Sequence, residues 1–240
     1  MFQWLKKKKH GSVLKRGTAL SVVVPAVLKD DGMLYQLVGG MPVVARALLA
    51  LDQIPQVQEI VVVIREAELK RMADLCRAFG LQRVRKVICA REPGAAALSA
   101  GVYECEPTAE YIAVHDPLRP FVTEDVLRGA LDMAVTAGAG APAVPVKDTI
   151  KIVRDGVVEE TPDRSTLHIL QTPQVVESSL LKAALCRGRE AGAESADLPM
   201  VLELLGLPLQ LAAGSDENIR VAAATDIPVA ETILTKRMYI

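Results

Sequence analysis

Residues 111–121 read YIAVHDPLRPF, an apolar run followed at once by a histidine, an aspartate and an arginine between two prolines. The run is rich in residues that favour buried strands, and the prolines after it prevent the strand from continuing. His115 and Asp116 therefore fall at the carboxyl end of a buried strand. Because open α/β sheets bind their ligands at that edge, this stretch predicts both the fold class and the place of the functional site.

On both sides of this stretch, short runs rich in Val and Ile alternate with longer segments of helical periodicity, which is typical of βαβ units. This pattern predicts an α/β fold with a mostly parallel, Rossmann-like sheet flanked by helices, in one domain over residues 18–240. The predicted strands cover residues 20–25, 59–64, 84–89, 111–115, 140–146 and 209–212. The predicted helices cover residues 42–51, 67–79, 95–104, 124–137, 178–191, 198–205 and 226–234.

One segment breaks this alternation. Residues 149–153 and 157–160 are alternating runs on either side of an Arg154-Asp155-Gly156 turn. Such a pattern predicts a β-hairpin, and the sheet has no further position for it. We expect an arm, roughly residues 147–172, that projects from the main sheet.

The bulk composition is that of an ordinary globular protein, since half of the 240 residues are hydrophobic and the formal net charge is -1. It gives no indication of a nucleic-acid partner. The four cysteines are not arranged in CxxC pairs, so neither a zinc site nor a disulfide framework is predicted. A reducing cytoplasm suits this cysteine usage.

Residues 1–17 form a basic tail with six Lys or Arg and no acidic residue. Its apolar start is too short for a signal peptide or a membrane span. Two interpretations remain open, a solvated terminal tail and a weak contact with an anionic membrane surface.

The residue types around Asp116 suggest phosphate chemistry. A carboxylate at a strand end can bind Mg²⁺ together with substrate phosphates. Arg119 can place its guanidinium group on a phosphate, or it can anchor the loop through a salt bridge. For His115, a buried hydrogen-bonded role and a ligand contact both stay open.

Val114 to Phe121 resemble the VHDxxRPF motif of the 2-C-methyl-D-erythritol 4-phosphate and ribitol 5-phosphate cytidylyltransferases. Three further regions resemble the same family in the same order. They are PVKDTIK at 145–151, Asp163-Arg164 with QTPQ at 171–174, and GSDENIRV at 214–221. The resemblance implies transfer of CMP from CTP to a sugar-alcohol phosphate with Mg²⁺, release of pyrophosphate, a place in isoprenoid precursor synthesis, and a homodimer through exchanged arms.

The resemblance also assigns roles to individual residues. It implies catalytic roles for Lys29, Arg119 and Arg164; nucleotide contacts for Pro25, Ala26, Val27, Gly94, His115 and Asp116; acceptor contacts for Thr149, Arg164, Asp197 and Arg220; and metal ligands in Asp116 and Glu217. Arg164 would contribute to the partner's acceptor site.

Three segments depart from the family pattern. The family wraps the triphosphate with a Gly-rich PAAGxGxRM loop and a later PKQ, whereas residues 25–36 here read PAVLKDDGMLYQ. The early glycines are missing, Asp30 and Asp31 would repel a triphosphate, and Tyr35 replaces the expected Lys. Gly94 and Ala97 replace an Arg and a Ser of the base-binding segment, and a family Thr beside Asp197 is missing.

These departures favour weakened or lost cytidylyl transfer, since one lost electrostatic donor costs about 100-fold to 1000-fold in rate. The main alternative is an inactive homodimeric pseudoenzyme that binds a ligand or acts as a scaffold. A ribitol 5-phosphate cytidylyltransferase is a second alternative.

Overall fold

The computed structural model describes residues 18–28, 32–193 and 196–238. The strands are β1 (Leu20–Pro25), β2 (Leu37–Val38), β3 (Met41–Pro42), β4 (Val57–Ile64), β5 (Val84–Cys89), β6 (Tyr111–Val114), β7 (Ala139–Pro145), β8 (Ile152–Arg154), β9 (Val157–Glu160), β10 (His168–Leu170), β11 (Gln174–Glu177) and β12 (Gln210–Ala213). The α-helices are α1 (Val43–Asp52), α2 (Leu69–Ala78), α3 (Ala95–Glu104), α4 (Glu124–Ala137), α5 (Ser178–Glu190), α6 (Leu198–Leu205) and α7 (Ile227–Met238).

Eight of these strands form one sheet in the order β10-β7-β11-β6-β1-β4-β5, with β12 beside β7. The pairs among β6, β1, β4 and β5 are parallel, as is the pair of β7 with β12. Strands β10 and β11 are antiparallel to their neighbours. The predicted α/β class with a mostly parallel, Rossmann-like sheet flanked by helices is confirmed.

The central strands are buried on both faces, which explains their continuous Val and Ile runs. Val22 and Val24 of β1 belong to a core cluster shared with α1, α2 and α4. Val23, on the opposite face, packs in a second cluster with α3, α5 and α6. This alternation along one strand places a helical layer on each side of the sheet.

Helix α3 lies very close to the sheet because it carries Gly101 there. A Cβ at Gly101 would lie 2.4 Å from Val23 Cγ1 and 2.8 Å from Val63 Cγ2. Both neighbours belong to buried strands, so they have little room to move. The glycine therefore fixes the distance between the helix and β1, at whose end the functional site lies.

Helix α4 has the bounds that its sequence predicts because both ends carry strong local signals. The Thr123 side chain accepts a hydrogen bond from the Val126 amide, and two acidic residues follow in the first turn. At the other end Gly138 is left-handed, with φ 87°. These are the end signals from which helix bounds can be read in a sequence.

The predicted hairpin is present as β8 and β9, which form a two-stranded ribbon separate from the main sheet. Its Asp155-Gly156 turn has positive φ at both residues, as a two-residue hairpin turn requires. The chain rejoins the main sheet already at β10, before the expected end of the arm at residue 172. Exchange of this arm between subunits stays a prediction.

The basic tail at residues 1–17 and Lys29 lie outside the described residues. Within the described part of the chain, no helix has the length and apolar character needed to cross a bilayer.

Candidate active site

A cleft of about 540 Å³ opens at the carboxyl ends of β1 and β6. Its volume is within the usual range for small-molecule sites. Its polar wall includes Asp116, Arg119, Thr172, Asp197 and Arg220. The cleft thus lies where the strand pattern places the ligand site, and it brings together residues from four distant parts of the sequence.

Asp116 is the carboxylate at the end of β6. One of its oxygens, Oδ1, accepts from the Leu118 amide at 2.9 Å, which tightens the turn after the strand. The other, Oδ2, lies 2.6 Å from Nε of Arg220. The Asp116 side chain is 19% exposed and that of Arg220 is 46% exposed, so this ion pair borders the open cleft.

Arg119 also lines the cleft, but its guanidinium group serves as an internal strut. Nη1 donates to the Asn218 carbonyl at 2.7 Å and Nη2 to the Leu170 carbonyl at 3.4 Å. Burial lowers the pKa of Arg119 from its usual value, with Arg220 contributing in the same direction and Asp116 opposing. The described contacts fit the anchoring role better than a free phosphate grip.

His115 is completely buried beneath the cleft. Its Nε2 lies 3.0 Å from the Arg119 carbonyl oxygen and its Nδ1 lies 3.2 Å from Oγ1 of Thr172. Burial lowers the pKa of His115 to about 4, although the Asp116 carboxylate opposes this shift. The ring is neutral near pH 7, and its burial leaves it no direct path to a ligand.

The described start of the altered loop also contributes to the cleft. Pro25, Val27 and Leu28 line the cleft, while Ala26 is buried behind them. Lys29 lies outside the described residues, so its expected catalytic role has no structural account. Tyr35, at the position of the expected Lys, lies 3.5 Å beneath the guanidinium carbon of Arg71 on α2 and does not line the cleft.

Gly94 and Asp197 are the remaining expected contacts that reach the cleft. Gly94 precedes α3 with φ 75°, a conformation that suits glycine. Asp197 caps α6, because its Oδ1 accepts from the Met200 amide at 3.1 Å. Its carboxylate therefore has a structural task in addition to any ligand contact.

Two arm residues with expected roles lie away from the cleft of their own chain. Thr149 is exposed, and Arg164 donates to the Lys147 carbonyl at 3.0 Å. Neither lines the cleft in the described structure. This placement leaves the expected contribution to a partner's site as a prediction.

Glu217 faces the C-terminal helix. Its carboxylate lies 2.7 Å from Nζ of Lys236 and 3.1 Å from Nε of Arg237, and these hydrogen bonds lower its pKa. The described contacts thus occupy both carboxylate oxygens on the α7 side. In the described part of the chain no group of three or more His, Cys, Asp or Glu residues could hold a metal ion.

The described residues of the cleft provide only part of a Mg²⁺ site. Mg²⁺ keeps several waters and needs one or two carboxylates when substrate phosphates complete its shell. Asp116 offers one such carboxylate, already paired with Arg220. Asp116 would hold Mg²⁺ together with ligand phosphates, whereas Glu217 in its described position does not supply a second ligand.

The sequence patterns gave no role to Gln171, although it holds the 214–218 loop in place. Its amide oxygen accepts from the Ser215 amide at 3.1 Å, and its Nε2 donates to the Ser215 carbonyl at 2.8 Å. Gly214 makes room for this pairing, because a Cβ there would lie 2.5 Å from the Gln171 oxygen. Its place in the QTPQ stretch at 171–174 was the available signal.

The fold and the cleft together place the chain in the Rossmann-like α/β class, whose open sheets bind ligands at this edge. The pattern of the 2-C-methyl-D-erythritol 4-phosphate cytidylyltransferase family matches residues 26–236. A relative with that name from Alkaliphilus metalliredigens is 32% identical over 205 residues, which is 85% of each chain. One from Geobacter metallireducens is 34% identical over 211 residues, covering 85% of this chain and 90% of its own.

Solved structures agree. A 4-diphosphocytidyl-2C-methyl-D-erythritol synthase structure superposes with a TM-score of 0.76 at 28% identity, over 92% of this chain and 99% of its own. A synthase of the same name from Anaerococcus prevotii gives a TM-score of 0.82 at 24% identity, over 91% and 97%, and supports the fold alone. The chain belongs to the 2-C-methyl-D-erythritol 4-phosphate cytidylyltransferase family.

Proposed function

We propose that this chain acts on CTP and 2-C-methyl-D-erythritol 4-phosphate in isoprenoid precursor synthesis, with a cytidylyl transfer strongly weakened by its altered nucleotide loop. In the transfer, an oxygen of the acceptor phosphate attacks the α-phosphorus of CTP. The bond between the α-phosphorus and the oxygen that bridges to the β-phosphate breaks, and pyrophosphate leaves with the electron pair of that bond. Enzymes accelerate such a step mainly by positioning the reactants and by neutralising charge on the leaving group.

We base this proposal on one observation: both arginines among the described lining residues already have partners within the protein. Arg119 donates to two main-chain carbonyls, and Arg220 pairs with Asp116. The lining also contains Asp197, so two arginines face two carboxylates. A triphosphate carries several negative charges, and the lining residues that the structure describes offer it no net positive charge. Affinity for CTP should therefore be low.

Arg220 is the cleft cation best able to turn toward a phosphate, because it is about half exposed and held by one ion pair. The exchange of Asp116 for a phosphate oxygen keeps its charge neutralised. Asp116 would then be free to hold Mg²⁺, which would stabilise the charge that develops on the phosphates. Arg220 thus links the acceptor and metal roles in this proposal.

The homodimer belongs to the same proposal. The β8–β9 arm exposes five large apolar side chains that its own chain does not cover, namely Ile150, Ile152, Val153, Val157 and Val158. Exposed apolar patches of this kind mark protein interfaces. Cover by a second copy would also carry Arg164 toward the partner. The four cysteines are free thiols, which suits a cytoplasmic location.

The second candidate is an inactive homodimeric binding or scaffolding protein. It is favoured by the same exposed arm and by the cleft arginines, which already have partners within the protein. Transfer to ribitol 5-phosphate is a variant of the first. Pyrophosphate release from CTP in the presence of Mg²⁺, measured with each acceptor in turn, separates these three functions. Slow release with methylerythritol phosphate supports the proposal. Faster release with ribitol 5-phosphate would change the acceptor, and release at the no-enzyme rate would favour the scaffold.

A further inference from the structure

The Thr172 hydroxyl lies at the junction of three parts of the cleft. Its Oγ1 is 3.0 Å from the Asp116 amide nitrogen and 3.2 Å from Nδ1 of His115. Its carbonyl accepts from Nδ2 of Asn218 at 2.8 Å. Thr172 itself lines the cleft at the base of the returning arm. One residue thus joins the arm, the end of β6 and the 214–218 loop.

The hydrogen-bond partners determine where the protons lie. Nε2 of His115 faces the Arg119 carbonyl oxygen at 3.0 Å, and a carbonyl oxygen only accepts. The ring proton must therefore be on Nε2. The Asp116 amide can only donate, so the Thr172 hydroxyl accepts there and has one proton left to donate. Nδ1 of His115 is the acceptor within reach.

From this arrangement we propose that Thr172 is a positioning residue for Asp116, and that the Nε2–H tautomer of His115 orients its hydroxyl. The hydroxyl holds the Asp116 main chain, while Asp116 Oδ1 and Oδ2 are held by Leu118 and Arg220. The carboxylate is therefore directed into the cleft before any ligand arrives. The importance of this direction for CTP chemistry rests on the proposed function, whereas the proton arrangement does not.

Nitrogen NMR of the ligand-free, ¹⁵N-labelled full chain tests the tautomer. The chain has only three histidines, and His168→Gln removes the exposed one in β10, which helps to assign His115. The expected spectrum shows the proton on Nε2 and a hydrogen-bonded acceptor at Nδ1. A proton on Nδ1 would overturn the proposal, and this result does not depend on whether the chain binds or turns over CTP.

Two variants test the positioning role. Thr172→Val keeps the shape but removes the hydroxyl, so the Asp116 amide should exchange with solvent about tenfold faster or more, and the Nδ1 signal should shift to that of an unbonded acceptor. Thr172→Ser should keep both close to the parent values. Unchanged exchange and an unchanged Nδ1 signal in Thr172→Val would overturn the positioning role. If Thr172→Val does not fold, Thr172→Ser tests the positioning role instead. Faster Asp116 amide exchange or a shifted Nδ1 signal in Thr172→Ser would then overturn that role, and the parent spectrum still tests the tautomer.

Discussion

Nε of Arg220 lies 2.6 Å from Oδ2 of Asp116 and pairs with the carboxylate on which ligand binding at this sheet edge would depend. The Arg220 side chain is 46% exposed, so a phosphate oxygen can replace the carboxylate as its partner. The partly buried Arg119 lacks this freedom, because two main-chain carbonyls hold it. Among the described lining residues, Arg220 is therefore the main cation that the cleft can present to a phosphate.

Removal of the Arg220 charge should affect ligand binding much more than folding. Arg220→Gln should change the free energy of unfolding by less than about 1 kcal/mol, since partly exposed ion pairs contribute little. Its affinity for CTP with Mg²⁺ should fall about tenfold or more, because a charge-assisted hydrogen bond is lost. Urea unfolding and calorimetric titration measure the two effects.

The matched control is Arg128→Gln, which breaks an exposed ion pair with Asp125 on α4, away from the cleft. Both its stability and its CTP affinity should stay near the parent values. Equal losses of affinity in the two variants would show that Arg220 has no special role.

The buried His115 should make folding sensitive to mild acid. Its pKa is about 4 in the folded chain and about 6.5 in the unfolded chain, so the unfolded chain binds more protons between these values. The full stability is present above pH 6.5 and falls as the pH drops toward 4, by up to about 3 kcal/mol. Urea unfolding at a series of pH values measures this slope.

His115→Gln should flatten the slope between pH 6.5 and 4, although it lowers stability at neutral pH. His168→Gln, at an exposed position, should leave the slope unchanged. If His115→Gln keeps the parent slope, carboxylates rather than this imidazole govern the acid sensitivity.

The close approach of α3 to the sheet predicts an asymmetric pair of glycine substitutions. Gly101→Ala should destabilise the chain by about 1–3 kcal/mol, because the new methyl group would overlap Val23 and Val63. Gly129→Ala on α4 meets only the Ala212 Cβ at 3.4 Å, and it should be neutral or stabilise by up to about 1 kcal/mol. Thermal unfolding of both variants checks the contrast, and equal effects would contradict the described packing.

The exposed arm predicts a charge-sensitive dimer. Val157 is 67% exposed on β9, and a glutamate there would be buried without a partner in an arm-mediated interface. Val157→Glu should shift the chain toward monomer at micromolar concentration, as measured by light scattering. Tyr103→Glu, at a similarly exposed position on α3, is the control and should leave the assembly unchanged. A parent chain that is already monomeric would remove the basis of the arm proposal.

The sequence predicted the parts of the fold that local signals determine. The bounds of α3, α4 and α6 agree with the prediction. A capping side chain and a glycine mark the two ends of α4 and of α6, and Gly94 marks the start of α3. Strands β10 and β11 were not predicted. They are short, and nothing in their periodicity shows that β11 runs antiparallel between β6 and β7 or that β10 pairs antiparallel with β7. The β2–β3 hairpin was also missed, since each strand has only two residues.

The same distinction between local and long-range signals applies to the candidate site. The motif around Asp116 predicted which strand end carries the cleft, because the apolar run and the polar residues after it are adjacent in sequence. It did not predict that Glu217 turns toward Lys236 and Arg237, because that direction depends on how α7 packs. The strut role of Arg119 likewise depends on carbonyls at positions 170 and 218, far away along the chain.

Single substitutions should not repair the altered nucleotide loop. Tyr35→Lys alone should leave CTP binding weak, because Tyr35 packs beneath Arg71 and the missing glycines would still be missing. A graft of the family's Gly-rich loop over residues 25–36 should strengthen CTP binding about 100-fold or more, since it restores two or more charge-assisted contacts. Calorimetric titration of both variants with CTP and Mg²⁺ measures this difference.

The most direct measurement is pyrophosphate release by the unmodified chain, supplied with CTP, Mg²⁺ and 2-C-methyl-D-erythritol 4-phosphate. We expect a slow rate, at least about 100-fold below that of the loop-grafted chain under the same conditions. A turnover of about one per second, within the ordinary range of enzymes, would contradict it and would show that residues 25–36 form a working triphosphate loop of a different design.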